Sequence, residues 1–364
     1  MSSSLLPLIE AAIAEYVPPY SQQSLKQARA IKTLGLDGTV CTLELELGYP
    51  LKSVSAQMVP QLRDLVLAVE GVESLELDLV SKVIAHKAQK NLKSLDNVRN
   101  IVAVASGKGG VGKSTTTVNL ALAMAAEGAR VGILDADIYG PSQGLMLGIA
   151  PGVKPQAAEN AMHPVQGHGL QMMSMSLLVD DDQPMVWRGP MASGALQQLL
   201  TQTLWDDLDY LFVDMPPGTG DIQLTLSQKA PITGALIVTT PQDIALLDAK
   251  KGIEMFRKVD VPVLGIVENM SLHTCSQCGH SEPIFGEGGG EQIAEKYQVD
   301  LLGRLPLKLS IREQADAGQP TMVSHPDSDE AGHYRDIALK LAASLAVRAK
   351  NYANVFPEIV VQND

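Results

Sequence analysis

The sequence predicts an α/β fold: a mostly parallel sheet with helices on both faces, preceded by a small α+β domain. From residue 100 onward, apolar runs of strand length alternate with helical stretches, the pattern that builds such a sheet. The first 88 residues combine helices with alternating strands, and residues 89–99 are polar. We therefore expect a small domain over 1–88, a linker over 89–99 and a larger domain over 100–364.

The N-terminal part has the predicted element order α-β-β-α-β, which is typical of a small α+β domain. Asp37-Gly38 lies between two strand-like runs and favours a type I′ hairpin turn. Cys41 shares a face with three leucines, so it is expected to be a core thiol. The expected elements are a helix over Leu5–Tyr16, strands over Ala30–Leu36 and Thr39–Leu47, a helix over Ser53–Val69 and a strand over Ser74–Val80.

The larger part begins with an apolar strand, a glycine-rich loop and a helix that stops at Gly128. The loop matches the phosphate-binding pattern, in which backbone N–H groups and the positive end of a helix dipole face phosphate oxygens. Lys113 is expected to reach the β- and γ-phosphates of ATP, and the Ser114 hydroxyl to bind Mg²⁺. The predicted nucleotide-binding residues of the loop are Gly107, Lys108, Gly109, Gly110, Val111, Gly112, Lys113, Ser114 and Thr115.

Carboxylates follow two of the predicted strands, where ligands of such sheets bind. Asp135 and Asp137 come after the second strand, and Asp214 ends the fourth. Asp214 has the position of a Walker B aspartate and is expected to hold Mg²⁺, directly or through water, opposite Ser114. The predicted strands are Ile101–Ala105, Ala129–Leu134, Leu170–Met175, Tyr210–Val213, Ala235–Thr239, Val261–Val267 and Leu301–Leu305.

Lys108 is a second lysine near the start of the loop, from which it cannot easily reach its own nucleotide. It could reach the nucleotide of a facing subunit and stabilise γ-phosphate charge there. The segment Lys108–Ser114 resembles the deviant Walker A signature of the MinD/ParA/nitrogenase-iron-protein class of dimerising ATPases. This resemblance implies that Lys108 acts across a dimer, that Asp137 orients the attacking water and that Asn269 reads the adenine edge.

The predicted catalytic residues are therefore Lys108, Lys113 and Asp137. Asp135 is expected to support the metal shell. Simpler roles remain as alternatives: a solvated loop lysine for Lys108, a capping or turn role for Asp214, helix capping for Asp135 or Asp137, and turn formation for Asn269.

Cys275 and Cys278 form a Cys-x-x-Cys pair that places two thiolates within reach of one metal. The pair could hold an iron–sulfur cluster, bind zinc together with His273 and His280, act as a redox dithiol, or be two ordinary thiols. No thioredoxin-like helix start accompanies it, which disfavours the redox role. A four-iron cluster needs four thiolates, and a two-fold dimer would supply the other two. Lys108 independently argues for the same dimer.

Together these motifs resemble the Mrp/ApbC family of iron–sulfur cluster carrier ATPases over nearly the whole chain. The resemblance is carried by Gly107–Thr115, Asp135–Ser142, Trp187–Met191, Asp214–Asp221 and Asn269–Ser271 with Cys275 and Cys278. It implies a cytoplasmic homodimer that binds a bridging [4Fe–4S] cluster at Cys275 and Cys278, hydrolyses ATP slowly and transfers the cluster to apo-proteins. Its implied partners are apo iron–sulfur proteins and cluster scaffold proteins.

Composition restricts the classes of function that the chain could have. The net charge of −13 disfavours binding to the nucleic-acid backbone. No apolar run reaches the roughly 18 residues that span a bilayer, and we expect no signal peptide. Three cysteines in a chain of this size suit the reducing cytoplasm. The competing functions are a MinD/ParA-like positioning ATPase, which would need a basic face or a membrane helix, a phosphate-loop kinase or ligase, and a zinc-binding dimeric ATPase.

Overall fold

The computed structural model describes residues 2–89, 92–178, 189–275 and 277–348. Its strands are β1 Ile31–Asp37, β2 Val40–Leu47, β3 Ser74–Ser81, β4 Val98–Ala105, β5 Val131–Asp135, β6 Ala157–Ala158, β7 Ala161–Met162, β8 Val165–Gly167, β9 Leu170–Ser174, β10 Leu208–Asp214, β11 Gly234–Thr239, β12 Val263–Glu268, β13 His273–Thr274, β14 Ser281–Glu282 and β15 Leu301–Arg304. Its helices are α1 Ser2–Ala14, α2 Val54–Leu67, α3 Lys113–Ala126, α4 Gln143–Met146, α5 Gly189–Gln202, α6 Asp221–Lys229, α7 Asp243–Lys258, α8 Gly289–Tyr297, α9 Leu309–Asp316, α10 Thr321–Ser324 and α11 Asp329–Ala346.

The N-terminal part folds as a small sheet in the order β1-β2-β3, packed against α1 and α2. β2 pairs antiparallel with β1 and parallel with β3. Its side chains alternate between the core and the more exposed face, as the sequence predicts for a strand with one buried face. Cys41 lies on the core side and is fully buried, so its expected role as a core thiol is confirmed.

The hairpin turn lies one residue later than predicted. Asp37 pairs with Val40, which makes Gly38 and Thr39 the two central residues. The backbone φ is +60° at Gly38 and is not positive at Thr39. A positive φ at the first central residue alone is the pattern of a type II′ turn, so the predicted type I′ turn is wrong. The pairing of β1 continues through Asp37 and thereby shifts the turn.

The larger part is built on a mostly parallel sheet whose order, within the described residues, is β15-β12-β11-β4-β10-β5-β9-β8. Only the short edge strand β8, which the sequence did not predict, runs antiparallel in this sheet. β4 starts at Val98, inside the predicted linker, because Val98 already pairs with Leu208 of β10. The strands at the centre of the sheet are buried at every residue except Arg99 of β4, as expected when helices cover both faces. The predicted α/β fold class is confirmed.

A buried carboxylate joins the two parts of the chain. Glu127 ends α3 and is 5% exposed. Its Oε2 accepts hydrogen bonds from the backbone N and the Oγ of Ser53, at 2.8 and 2.7 Å, and Arg335 Nε lies 3.3 Å from Oε1. Ser53 precedes α2 in the small domain. The small domain therefore contacts the end of α3 opposite to the glycine-rich loop.

Trp187 and Arg188, two residues of the family resemblance, lie outside the described residues. Where the chain is described, no helix combines the length and the apolar character needed to cross a bilayer.

Candidate functional site

The glycine-rich loop connects β4 to α3 and is shaped by close packing. Gly112 has a φ of +81° and immediately precedes the first residue of α3. Such a left-handed backbone favours glycine. Gly107 packs directly on α7, where a Cβ atom would lie 2.2 Å from the carbonyl carbon of Asp248. These two glycines allow the backbone to curl around the start of α3, whose N–H groups and helix dipole favour a bound anion.

Lys113 begins α3 and is only 6% exposed. Its Nζ lies 2.5 Å from Asp214 Oδ1 and 3.2 Å from Ser114 Oγ. Asp137 Oδ2 is 3.9 Å from the same Nζ. The structure thus gathers three other predicted site residues around the ammonium group of Lys113.

Asp214 stands at the end of β10, in the middle of the sheet, and is fully buried. Besides Lys113, two donors hold its carboxylate: Thr117 Oγ1 at 3.2 Å from Oδ1 and Gln143 Nε2 at 2.9 Å from Oδ2. The hydroxyl of Ser114 and the carboxylate of Asp214 are the kind of oxygen ligands that Mg²⁺ takes in phosphate-loop proteins. These two residues already hold one cation between them, the ammonium of Lys113. The donor set therefore fits a magnesium ion.

Asp135, the last residue of β5, and Asp137 differ in what they contact. Asp135 accepts backbone hydrogen bonds from Asp137, Ser142 and Gln143, at 3.1, 2.9 and 3.0 Å. Its carboxylate therefore caps α4 and folds the loop before it. The expected support of the metal shell by Asp135 stays a prediction. Burial, with the nearby charge of Asp214, raises the pKa of Asp135.

Asp137 faces Lys113 and is mostly buried, with 13% of its side chain exposed. Burial raises the pKa of Asp137, and the positive charge of Lys113 opposes that shift. A carboxylate in this position can accept a hydrogen bond from a water near the end of the phosphate chain. The assignment of Asp137 as the residue that orients the water stays a prediction.

Lys108 is half-buried and bends towards its own chain. Its Nζ lies 3.4 Å from Gln242 Oε1, at the residue that precedes α7. One long hydrogen bond holds the side chain weakly, so it can be released at little cost. Its predicted action on the nucleotide of a second subunit remains a prediction.

Asn269 follows β12 and is 8% exposed. Its Nδ2 donates to the carbonyl oxygen of Val111 at 2.8 Å. A Cβ atom at Gly112 would lie 2.2 Å from this Nδ2, which is a second reason for glycine there. The side chain therefore fastens the phosphate-binding loop to β12. One N–H of this amide is thus already used on the loop. The expected contact of Asn269 with adenine stays a prediction.

Glu268, the neighbour of Asn269, points to the opposite side of β12. Its Oε2 accepts a hydrogen bond from the backbone N of Gly290 at 2.6 Å, and Arg304 Nε lies 3.3 Å from Oε1. Gly290 belongs to the first turn of α8. The end of β12 thus contacts the phosphate-binding loop on one side and the start of α8 on the other.

Between these two anchors the chain forms a small hairpin of β13 and β14, with the cysteine pair at its tip. The backbone N of Cys275 donates to His280 O at 2.8 Å, and the N of Gly279 donates to Cys275 O at 2.9 Å. Cys278 is exposed and Cys275 is partly exposed. Backbone N–H groups of Cys278 and Gln277 lower the pKa of the Cys275 thiol. The turn therefore favours a thiolate that solvent or a partner can reach.

The described residues hold no group of three or more His, Cys, Asp and Glu side chains that could bind a metal. His273 Nδ1 instead lies 3.1 Å from the carbonyl oxygen of Leu307. The geometry thus gives no support to zinc bound by Cys275, Cys278, His273 and His280 in one chain.

Two residues of the nucleotide site were missed from the sequence, namely Thr117 and Gln143. Thr117 lies one helical turn after Lys113, so the spacing on α3 could have placed its hydroxyl near the same carboxylate. Gln143 belongs to no motif that we recognised. Only the fold of the loop after Asp135 brings its amide to Asp214.

A glycine-rich loop between a strand and a buried lysine, with carboxylates at neighbouring strand ends, defines a phosphate-loop nucleotide-binding protein of the α/β class. A model of the ParA group, described as the NUBPL iron-transfer P-loop NTPase family, matches residues 97–342. The chain belongs to this family. The resemblance stated from the motifs is confirmed.

Relatives of known name agree with this assignment. The chain is 62% identical over 272 residues to an iron–sulfur cluster carrier protein from Pseudomonas fragi, which covers 74% of this chain and 95% of that protein. It is 51% identical over 343 residues to the iron–sulfur cluster carrier protein of Escherichia coli K12, covering 94% and 93% of the two chains. The iron–sulfur cluster transfer protein NUBPL of Mus musculus is 51% identical over 277 residues, covering 76% of this chain and 86% of that protein.

Solved structures share the fold of the larger part. A nucleotide-binding protein from Archaeoglobus fulgidus, in complex with ADP, is 36% identical with a TM-score of 0.57 and covers 66% of this chain and 93% of its own. The cell-division ATPase MinD of Pyrococcus furiosus is 24% identical with a TM-score of 0.52, covering 66% and 98%. At that identity the MinD structure supports the fold alone.

Proposed function

We propose that this protein is an ATP-hydrolysing iron–sulfur cluster carrier that holds a [4Fe–4S] cluster between two copies of the chain and delivers it to apo-proteins. The observation that carries the proposal is the pair of accessible thiols, Cys278 exposed and Cys275 partly exposed, on a chain that also contains a buried phosphate-loop site. Relatives named as iron–sulfur cluster carrier proteins support an iron–sulfur cluster as the cargo.

The nucleotide half of the proposal assigns ATP to the loop over Gly107–Thr115. Lys113 would bind the β- and γ-phosphates, and Ser114 with Asp214 would hold Mg²⁺. The metal, when bound, would neutralise negative charge on the phosphates. Asp137 would hold the attacking water, since its carboxylate faces the same lysine as Asp214 does.

The cargo half assigns the cluster to Cys275 and Cys278. Thiolates are the usual protein ligands of iron–sulfur clusters, and backbone N–H groups favour the thiolate form of Cys275. One chain offers two such ligands at the turn. A two-fold axis beside the turn would bring the same pair from a second copy and complete a set of four. Lys108 would then face the nucleotide of the other copy.

The test is to reconstitute the protein without oxygen and to measure iron, acid-labile sulfide, zinc and solution mass. We expect about four irons and four sulfides per dimer, because two cysteine pairs share one four-iron cluster. Zinc without sulfide would replace the cluster with a structural metal site and remove the carrier function.

A matched set of variants locates the cargo site. Cys275→Ala should lose iron and sulfide and keep ATP binding. The hydrogen bonds that shape the cysteine turn are different from the one by which Asn269 holds the phosphate-binding loop. Cys41→Ala is the control, since this third thiol is fully buried in the small domain and should leave loading unchanged. Stoichiometric iron and sulfide in Cys275→Ala would contradict the assignment.

A further inference from the structure

Gln143 is the first residue of α4 and is fully buried beside the nucleotide site. Its Nε2 donates to two acceptors, the backbone oxygen of Ser114 at 3.0 Å and Asp214 Oδ2 at 2.9 Å. Because both acceptors are oxygens that cannot donate, the amide must face them with its nitrogen. The orientation of this side chain is therefore fixed by its neighbours.

The backbone of Gln143 is held as firmly as its side chain. Its N–H donates to Asp135 Oδ2 at 3.0 Å, beside the bond from Ser142 N to the same oxygen. The residue thus connects three segments: the end of β5, the end of β10 and the start of α3. Its Oε1 is buried and has no hydrogen-bond partner within the described structure, so this side chain retains an unused acceptor beside Ser114 and Asp214.

The two oxygens of Asp214 depend on different donors. Lys113 and Thr117 contact Oδ1, whereas Gln143 is the donor that the structure gives to Oδ2. Under the proposed function, Lys113 turns towards the phosphates when ATP binds. Thr117 and Gln143 then remain to hold a carboxylate that is fully buried. A buried carboxylate oxygen without a donor is costly, so Gln143 becomes more important in the nucleotide-bound state.

We propose that Gln143 is a positioning residue that holds Asp214 Oδ2, so that Oδ1 faces the magnesium site once Lys113 has moved to the nucleotide. This inference rests on the proposed nucleotide site and deepens it. It does not depend on the cargo bound at the cysteine turn. Gln143 acts through Asp214 and is given no contact with the reacting atoms.

The experiment compares the Mg²⁺ enhancement of nucleotide binding, defined as the affinity for a non-hydrolysable ATP analogue with Mg²⁺ divided by that without it. Gln143→Met keeps the length of the side chain and loses both hydrogen bonds. We expect its Mg²⁺ enhancement to fall about tenfold or more, the cost of losing a hydrogen bond to a charged group. Affinity without Mg²⁺ should change less than about threefold, because the phosphate contacts of the loop are retained.

Gln143→Glu should reduce the Mg²⁺ enhancement further, since a second carboxylate would face Asp214 and the Ser114 carbonyl. Should Gln143→Met fail to fold, the shorter amide of Gln143→Asn replaces it, because it stays polar yet no longer spans both acceptors. Asn119→Leu is the matched control: this buried amide on α3 bonds Thr115 O and Met322 N. It should lower the melting temperature and leave the Mg²⁺ enhancement unchanged.

An unchanged Mg²⁺ enhancement in folded Gln143→Met would overturn the inference. A wild-type protein that shows no Mg²⁺ enhancement would overturn it too, together with the assigned metal site. Iron and sulfide loading measured on the same preparations separates these outcomes from a failure of the carrier function. The cysteine turn follows β12 and Gln143 follows β5, and three strands lie between these two in the sheet.

Discussion

The nucleotide site and the cysteine turn differ in how much of each is built by one chain. Around Lys113, four segments of the fold meet and the side chains that matter are buried. The cysteine turn is a hairpin of two-residue strands that carries two thiols towards solvent. The nucleotide site is therefore largely preorganised in a single chain, whereas in the proposed dimer the cysteine turn would supply half of a four-thiolate site.

Because of this difference, mutations at the two sites should have unequal effects on the stability of the protein. Removing one partner of a buried ion pair such as Lys113–Asp214 lowers the stability of the folded protein, because the other charge stays buried. Exposed side chains at the end of a small hairpin contribute little to folding and are free to change partners. A protein that must hold and release a cargo benefits from placing the two functions in such different surroundings.

The largest expected effect tests whether the nucleotide site is complete in one chain. We expect Lys108→Ala to lower kcat for ATP hydrolysis by about 1000-fold, because a cation that acts across an interface stabilises transition-state charge on this scale. ATP affinity should change less than about twofold, since the Lys108 ammonium bonds Gln242 and not the groups around Lys113 in its own chain. Steady-state rates and equilibrium titration measure the two quantities.

Lys258→Ala, at the far end of α7, is the control for loss of an exposed lysine and should leave the rate unchanged. Full activity in Lys108→Ala would mean that each chain hydrolyses ATP alone.

A smaller but global effect is expected from Lys113→Met. The change should lower the free energy of unfolding by about 3 kcal/mol, because it leaves Asp214 buried without its cation. ATP binding should be lost at the same time, as the lysine contacts the phosphates. Urea unfolding of the nucleotide-free protein measures the first effect. A stability equal to that of the wild type would show that Thr117 and Gln143 alone satisfy the carboxylate.

The same substitution at two cysteines sharpens the comparison further. Cys41→Ser should cost about 1–3 kcal/mol of unfolding free energy, because a hydroxyl replaces a fully buried thiol in the core of the small domain. Cys278→Ser should cost less than about 0.5 kcal/mol, since the side chain is exposed. Denaturant titration of both variants in the metal-free state gives the difference, and equal losses would mean that the turn is part of the folded core.

The smallest effect is a difference in reactivity. In metal-free Cys278→Ser protein, Cys275 should react with iodoacetamide at neutral pH, with a midpoint of the pH–rate profile below the value of about 8.5 for a free cysteine. The backbone N–H groups that lower the pKa of Cys275 belong to residues 277 and 278 and remain in this variant. Cys41 should stay unmodified until the protein unfolds, because burial both shields it and raises its pKa. Mass spectrometry of the labelled peptides distinguishes the two thiols.

Local patterns in the sequence were sufficient for the fold class and for several of the residues that the structure gathers around Lys113. The loop motif, the apolar runs and the carboxylates at strand ends each follow from nearest neighbours along the chain, so Lys113, Ser114 and Asp214 could be placed before the structure was known. The exact turn at Gly38 could not, because it depends on how far the pairing of β1 extends.

Residues that act through the tertiary fold were harder to predict. The role of Asp135 as a cap depends on the path of the chain up to Gln143. Gln143 itself lies 71 residues before Asp214 in sequence, and no spacing rule relates them. The bond from Ser53 to Glu127 joins two domains, which a reading of each domain alone cannot anticipate.

At the end of β12, the residue that contacts the phosphate-binding loop and the residue that contacts α8 are adjacent in sequence. Asn269 holds the carbonyl of Val111, and Glu268 holds the N–H of Gly290. The segment that contains Cys275 begins after Asn269 and ends at Gly290, so both of its ends are attached to the end of β12. A shift of the phosphate-binding loop that rotates the peptide between Glu268 and Asn269 would rotate the attached segment as well. The displacement would be larger at the thiols than at this peptide, because the thiols lie at the far end of the segment.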